Sequence, residues 1–571
     1  MKYMPSQLMY FFQSRTARRN VSKLLQYLAI IAVLVAVYSV VFHYLMRLEG
    51  RDHTWLTGIY WTLTVMSTLG FGDITFTTDL GRAFSLLVLL TGVIYLLVML
   101  PFSFIQFFYA PWLDAQAKAR APRELPSGKA GHVILTSFDP VSASFAKRLI
   151  QYGYDYALLQ ADLPRALELY DQGYKVVVGE LDDPETYRRL RVEGAAMVFV
   201  NNDDMRNTNI AFTVRELTSN ATVIATADMD DSLDILSLAG SSHVFQFTKL
   251  LGQALARRLI GSSTRANVIG RLDGLLIAEA PAMRTPLQGK RLRDSRLRET
   301  TGVSVVGVWE RGNFHIPGPD TLIGQSTVLV LAGTNEQFER YDAVMGKDLP
   351  HDSPVIILGG GRVGQAAAQV LEERGISYRI VEKNPKAVRD ADKYVLGSAA
   401  DLDTLLVAGI REAPSVFIST HNDDLNIYLT IYCRKLRPDI QIVSRATLDR
   451  NVGTLHAAGA DLVMSEASLG ANTLINLLRP DNLLMLAEGL NVIRLAVPPS
   501  LAGKVLAETD IRARTGCSII AVQTKDGLQI NPDPSLRLGP LDEIIIIGTA
   551  EAERCFLRDY APGGGQVQPR L

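Results

Sequence analysis

The sequence predicts a membrane domain of two spanning helices with a shorter helix between them, followed by two copies of a two-lobed α/β module. Three observations carry this. Two apolar runs near the N-terminus are each long enough to cross a bilayer, the composition turns to that of an ordinary soluble α/β protein after about residue 110, and the remainder repeats itself. The 571 residues suffice for three or four domains of ~100–200 residues each.

The first apolar run, Leu24 to Met46, holds no Lys, Arg, Asp or Glu, and ~20 helical residues span a hydrocarbon core. The second runs from Ala83 to Phe108 and is long enough to tilt or protrude. The first run is too long for a secretory h-region, so no signal peptide is expected. Lys2, Arg15, Arg18, Arg19 and Lys23 precede the first span, and Lys118, Arg120, Arg123 and Lys129 follow the second. The intervening loop is mixed in charge: Arg47, Glu49, Arg51, Asp52, Asp73, Asp79 and Arg82. The positive-inside bias therefore predicts a multi-pass protein of the inner (plasma) membrane with both termini cytoplasmic. Net charge is -1, from 58 basic and 59 acidic residues, so nucleic acid is not an expected partner. Cys433, Cys517 and Cys555 have no metal or redox spacing and read as thiols in a reducing compartment.

Between the spans, a helical stretch over 55–66, with Asp52 or Thr54 as cap, breaks into Thr68-Leu69-Gly70-Phe71-Gly72-Asp73. Alternating glycines permit dihedrals that aim successive carbonyls one way, and carbonyls can replace the water shell of a cation. Irregular backbone at membrane depth is tolerated where it lines a pore. This segment resembles the potassium-channel pore domain, whose filter reads Thr-Val-Gly-Tyr-Gly. Tyr60-Trp61 falls at the family's pore-helix aromatic pair, Gly81-Arg82 opens the second span, and Gly92 falls at the inner-helix hinge. The resemblance implies K+ as permeant ion, Thr68, Leu69, Gly70, Phe71 and Gly72 as selectivity filter, and a homotetramer in the lipid bilayer. Two departures bear on filter rigidity: Phe71 lacks the usual tyrosine hydroxyl, and Thr64 stands where some relatives carry a Glu. A weakly selective cation pore is the alternative. In the second span, Gly92 and Pro101 are candidate bends, and Leu97, with Leu96, Leu100, Phe102 and Phe104, a candidate apolar constriction.

The expected organisation is a pore domain over 1–110 (spans 24–46 and 83–108, pore helix 55–66, filter 68–72) and a linker over 111–130. The first module then has lobes at 131–262 and 263–345, and the second at 353–485 and 486–558. HVILTSF (132–138) matches VIILGGG (355–361), FVNNDD (199–204) matches ISTHNDD (418–424), and LQGKRLRDSRLRETTGVSVVGV (287–308) matches LAGKVLAETDIRARTGCSIIAV (501–522). Strands alternating with helices predict parallel doubly wound sheets. The modules resemble RCK domains (regulators of potassium conductance), Rossmann-like lobes each with a small α+β C-terminal lobe. That resemblance implies a cytoplasmic gating ring. FTKLLGQALARRLIG (247–261) and ASLGANTLINLL (467–478) look like the helices through which such modules pair.

The second module carries Gly359-Gly360-Gly361-Arg362-Val363-Gly364 between a strand and a helix, with Glu382 closing the next strand. Glycines allow a pyrophosphate to approach a helix N-terminus, and the acid suits ribose hydroxyls over a 2′-phosphate. The expected ligand is an adenine nucleotide, NAD or ADP. Family position adds Gly397, Thr420, Asp424 and Arg445, with phosphate ligand and salt-bridge partner both open for Arg445. The equivalent turn of the first module, 136–141, holds no glycine and is expected not to bind a dinucleotide in the usual way. Its acidic stretch, Asp228, Asp230, Asp231 and Asp234, is a candidate divalent-cation site for Ca2+, with a solvated loop as the alternative. The functional expectation is a potassium channel gated by an intracellular ligand. A membrane-tethered nucleotide enzyme is the competing class, and the scattered histidines offer it no acid–base pair.

Overall fold

The computed structural model describes residues 15–109, 113, 122–259, 265–283, 285–310, 313–345, 353–388, 390–479, 483–486 and 489–560. Half of the expected linker, with Lys118 and Arg120, and the N-terminal Lys2 lie outside the described residues. The chain divides into two compact units, 1–123 with 160–178, and 124–159 with 179–571.

In the first unit, α1 (Arg15–Leu48) leads through a loop to α2 (Trp55–Met66) and then α3 (Asp79–Gly92). Two stretches, Ser22–Leu48 and Asp79–Phe104, are long and apolar enough to cross a membrane. Thr54 caps α2, its hydroxyl accepting from the Thr57 N–H at 3.4 Å, and Thr78 caps α3 from the Gly81 N–H at 3.2 Å. Beyond Gly92 the helix widens into π turns over Val93–Met99, returns to α over Leu100–Phe104, and widens again over Ile105–Tyr109. Pro101 explains the first widening. It has no N–H to offer the carbonyl one turn back, and its ring crowds that turn. The core is aromatic, with Trp61 stacked on Phe42 at 4.9 Å and on Phe84 at 5.8 Å.

The second unit holds the repeats. In the first, β1 (Val133–Leu135), β2 (Tyr156–Gln160), β4 (Met197–Val200), β5 (Thr222–Thr226) and β6 (His243–Phe245) form a parallel sheet ordered β2-β1-β4-β5-β6. Strand β3 (Val176–Val178) falls in the first unit. The helices used below are α4 (Pro140–Gln151), α5 (Asp204–Leu217) and α6 (Phe247–Leu259). An antiparallel lobe follows, β7 (Asn267–Leu272), β8 (Leu275–Pro281), β9 (Ser304–Glu310), β10 (Asn313–His315) and β11 (Thr327–Gly333), ordered β10-β9-β11-β8-β7. The second repeat restates this plan. Strands β12 (Val355–Leu358), β13 (Tyr378–Glu382), β14 (Tyr394–Leu396), β15 (Ser415–Ile418), β16 (Gln441–Ala446) and β17 (Leu462–Ser465) are parallel in the order β14-β13-β12-β15-β16-β17. They alternate with α7 (Arg362–Glu373), α8 (Asp423–Leu436) and α9 (Glu466–Leu478), among other helices. The second antiparallel lobe comprises β18 (Leu483–Met485), β19 (Leu490–Ala496), β20 (Ser518–Thr524), β21 (Gly527–Ile530) and β22 (Glu543–Thr549).

The repeats exchange helices. Helix α6 of the first packs on α7 of the second, and α9 of the second packs on α4 of the first. On α6, Leu251, Leu255 and Leu259 recur at i, i+4, i+8. On α7, Val363, Ala366, Ala367, Val370 and Leu371 make the facing stripe. Apart from Ala366, these side chains join one core that continues through Ile357, Leu275, Ile277, Trp309, Leu486, Val492 and Ile545. Fully burying a leucine is worth about 1.5–3 kcal/mol, so the shared stripe ties the repeats into one body. Each exchanged helix carries a glycine at its crossing. A Cβ on Gly252 would lie 2.4 Å from the Val363 carbonyl oxygen, and one on Gly470 would lie 2.6 Å from a Val141 methyl. Arg258 at the end of α6 is anchored to the first antiparallel lobe by a 2.8 Å ion pair with Glu279, both side chains under 5% exposed.

The two crossings differ in what a methyl would strike. Gly252→Ala meets backbone that cannot rotate away, whereas Gly470→Ala meets a side chain that can. Overpacking costs about 1–3 kcal/mol against a helix-propensity gain of about 1 kcal/mol. Thermal unfolding of the intact protein should therefore show a lowered Tm for Gly252→Ala and a smaller or opposite shift for Gly470→Ala. Equal shifts would contradict the close-approach reading.

Candidate functional site

The segment after α2 alternates in hand. Thr68, Gly70 and Gly72 all have positive φ, at 62°, 40° and 78°, while Leu69 and Phe71 between them do not. That alternation is what turns successive carbonyls the same way, and Thr68 takes part without being glycine. The Thr68 and Gly70 N–H groups bond back to the end of α2, to Val65 O at 3.0 Å and Thr64 O at 3.1 Å. Asp73 is held by the Tyr60 hydroxyl at 3.1 Å, and the Tyr60 and Phe71 rings lie parallel with centroids 6.4 Å apart. Thr64 turns away, donating to Trp61 O in its own helix at 3.0 Å. Tyr60 thus restrains the acid that Thr64 does not reach, and the Trp61 indole N–H fixes the next carbonyl, Ile74 O, at 3.1 Å.

Gly92 has ordinary helical dihedrals, φ -61° and ψ -46°. A Cβ there would lie 2.3 Å from Met66 Cα and 2.5 Å from Met66 O, at the last residue of α2. The glycine lets the second span approach the base of the filter segment. Leu97 sits in the π-helical turns and Pro101 just beyond them. On the loop side, Glu49 clamps the chain that enters α3. Its carboxylate accepts from the Thr77 and Thr78 N–H groups, at 3.1 and 2.9 Å, and from both hydroxyls, at 3.0 and 2.7 Å. These bonds, the Thr78 hydroxyl first, hold its pKa down at about 2.

The turn from β12 to α7 is built from its glycines. Gly359 has φ +111°, and a Cβ on Gly364 would lie 2.1 Å from Gly359 O. A Cβ on Gly361, by contrast, would meet nothing within 4 Å. No side chain caps α7, so its first N–H groups face the open space over Gly361. Glu382 braces the turn, accepting from the Gly360 N–H at 2.8 Å, with its other oxygen on the Asn384 N–H at 2.8 Å. Ser419, the residue after β15, supports it by donating to Gly359 O at 2.9 Å. The first repeat is opposite in character. There Asp139 caps α4, accepting from the Ser142 and Val141 N–H groups at 2.8 and 3.3 Å. A carboxylate of the chain itself fills the place where an anion would sit.

Gly397 lies beside this site, its N–H on Glu382 O at 3.0 Å, and a Cβ there would strike Thr404. Thr420 bonds Asn426 at 2.5 Å, and Asp424 is exposed at the start of α8. Arg445, 4% exposed, pairs with Glu466 at 2.7 Å and contacts His421 Nδ1 at 2.9 Å. That ion pair lies within the second repeat. The neighbouring Asp423 is turned inward and accepts from the Thr447 and Leu448 N–H groups at 2.8 and 3.1 Å.

The ion-channel family model matches residues 30–108, the TrkA-N domain model residues 133–246 and 355–466, and the TrkA-C domain model residues 281–346 and 492–558. Potassium channel protein 1 of Methanocaldococcus jannaschii is 24% identical over 323 residues, 54% of this chain and 94% of that one. The chain is similar to the solved structure of the GsuK channel, at 38% identity over 95% of this chain and 99% of that chain, with a TM-score of 0.58. The chain belongs to the RCK-regulated potassium channels. A second solved structure, the GsuK channel bound to NAD, is 37% identical over 95% of this chain and 100% of that chain, with a TM-score of 0.56. This is a family of channels with regulatory domains, not of enzymes.

One expectation for this channel needs correction. The acids Asp228, Asp230, Asp231 and Asp234 do not converge on a cation. Asp228 pairs with Arg362, and Asp230 with Lys249 at 2.8 Å. Asp231 and Asp234 open a short helix, and no group of three or more His, Cys, Asp or Glu among the described residues is placed to hold a metal. The sequence showed the acidic spacing but not the basic partners, one of which comes from the other repeat.

Two outcomes follow for the pore. Gly92→Ala should press on Met66 and change unitary conductance or K+/Na+ permeability in single-channel records. A variant altered only in open probability would favour a pure hinge instead. The Glu49 clamp is present above the ordinary carboxyl pKa of about 4.5 and is lost only as pH falls toward about 2. Acidifying the loop-side solution from pH 7 to 5 should leave the clamp intact and open-channel stability unchanged, whereas Glu49→Gln should alter open-channel stability at pH 7.

Proposed function

We infer that this potassium channel is opened or closed by an adenine nucleotide held at the Gly359–Gly364 turn of the second repeat. The observation that carries this is the uncapped N-terminus of α7 over the open space at Gly361, beside a braced acid at Glu382. Backbone N–H groups and the helix dipole there suit a phosphate or pyrophosphate. Arg362 supplies a cation at the first helical position, and Val363 and Gly364 form the floor. Glu382 suits ribose hydroxyls and disfavours a 2′-phosphate. NAD is supported by the description of the similar channel as bound to NAD, and ADP shares the adenosine and pyrophosphate chemistry. The first repeat, with Asp139 in the corresponding place, is left without this site. Calcium has no part in the proposal, because Asp228 and Asp230 already neutralise cations.

One chain supplies one strand of filter carbonyls, and a closed ring needs several around an axis. A homotetramer is the expected assembly, with eight modules in its ring. The basic flanks of the spans support a cytoplasmic position for those modules. The nucleotide acts by binding the conducting and closed arrangements with different affinity.

The test is Gly361→Asp. Its Cβ has room, so the fold should persist, while the new carboxylate sits where Asp139 sits in the first repeat. NAD and ADP binding to the purified channel should weaken at least about ten-fold, and nucleotide response in planar bilayers should vanish while K+ conduction remains. Unchanged affinity in that variant would remove the site.

A further inference from the structure

We propose that Asp228 of the first repeat is a built-in competitor for the nucleotide phosphate, closing an electrostatic latch on Arg362 of the second. This rests on the nucleotide reading above and adds to it a regulatory partner for the same site.

A cleft of about 580 Å³ opens between the repeats. Asp228, Asp230 and Lys249 of the first repeat line one side, and Arg362, Glu372 and Lys393 of the second line the other. Lys249–Asp230 and Lys393–Glu372 each stay within one repeat, at 2.8 and 2.7 Å. Arg362–Asp228 crosses between them. Arg362 is also the first residue of α7, at the mouth of the phosphate site. The side chain best placed to meet an incoming phosphate is therefore already engaged by a carboxylate from the other repeat.

The position of Asp228 is fixed rather than incidental. Asp204, which opens α5, accepts from the backbone N–H groups of Asp228 and Met229 at 2.8 and 3.1 Å. The second repeat uses Asp423 in the same way on Thr447 and Leu448, so the tether belongs to the fold. Only the first repeat places an acid at its end, and that acid meets the only one of the two turns that is free of a carboxylate cap. The neighbouring packing is tight: Gly252 of α6 lies against the Val363 backbone, one residue from Arg362. Both members of the pair are more than half exposed, at 56% and 62%. An ion pair of that exposure is weak enough for a phosphate to displace. Nucleotide binding then costs the protein an inter-repeat contact, and losing that contact is the signal.

The experiment measures NAD binding to the full-length detergent-purified channel by isothermal titration calorimetry. It compares wild type, Asp228→Asn, Arg362→Gln and the double variant. Asp228→Asn should tighten binding about two- to five-fold, the range an exposed ion pair supports. Arg362→Gln should weaken it about ten-fold, and adding Asp228→Asn to Arg362→Gln should change nothing further. Binding that is unaffected or weakened in Asp228→Asn, or an equal Asp228→Asn effect with and without Arg362, overturns the latch while leaving the site intact. Failure of wild type to bind NAD or ADP removes the nucleotide reading and the latch with it. Elution of Asp228→Asn as the wild-type oligomer controls for folding.

Discussion

The close crossing of α6 over α7, with Gly252 against the Val363 carbonyl, constrains much of the soluble unit. It joins the two repeats through one shared core, while further cores stay within single repeats. It also decides where a ligand can be felt. The glycine turn sits at the start of α7, so the residues that would hold a phosphate are the same ones that pack on the other repeat. A shift at the turn cannot be absorbed within its own sheet, because close-packed interiors deform little.

The duplication then diverged in one electrostatic respect. Both repeats present a helix N-terminus at the end of the first strand, and both must satisfy its first N–H groups. The first repeat does so internally through Asp139. The second leaves the place open, with Glu382 bracing the turn beside it. One copy became scaffold and the other retained the means of binding an anion. The same logic separates Asp228 from its counterpart Thr447, both held by a tethering aspartate, of which only one carries charge.

Much of this was legible in the residues. Apolar runs of bilayer length, strands alternating with helices, and the glycine motif all act over a few neighbouring positions, and periodicity reports them directly. The pairing helices were singled out by resemblance, since their apolar faces alone fit ordinary internal helices equally well, and the filter stood out as a string of permissive backbone positions. What was not legible depends on partners far along the chain. Gly92 reads as a hinge in isolation, and only the distance to Met66 shows that it permits a close approach. The run Asp228 to Asp234 reads as a cation site until Lys249 and Arg362 are placed beside it. Asp423 and Asp424 are adjacent and chemically identical, and only the helix start decides which one points at the backbone of the next loop.

How a nucleotide could bias a pore follows from these same contacts. A ligand shifts an equilibrium only by the difference in its affinity for the two states, so some contact at the site must differ between them. The glycine turn itself is a poor candidate. Gly364 packs so close to Gly359 that a Cβ there would lie 2.1 Å from the Gly359 carbonyl oxygen, and Glu382 braces the loop through the Gly360 N–H. The seam between repeats is a better one, because there a rigid packing contact at Gly252 adjoins an exposed, replaceable ion pair. A hinge with one fixed point and one releasable point can rotate. An exposed ion pair is worth about 0.2–1 kcal/mol, which is small for one subunit. If the chains assemble as proposed into a ring whose subunits move together, the same term multiplies with the number of sites. A modest latch at each turn would then be enough to move a pore that closes as a unit.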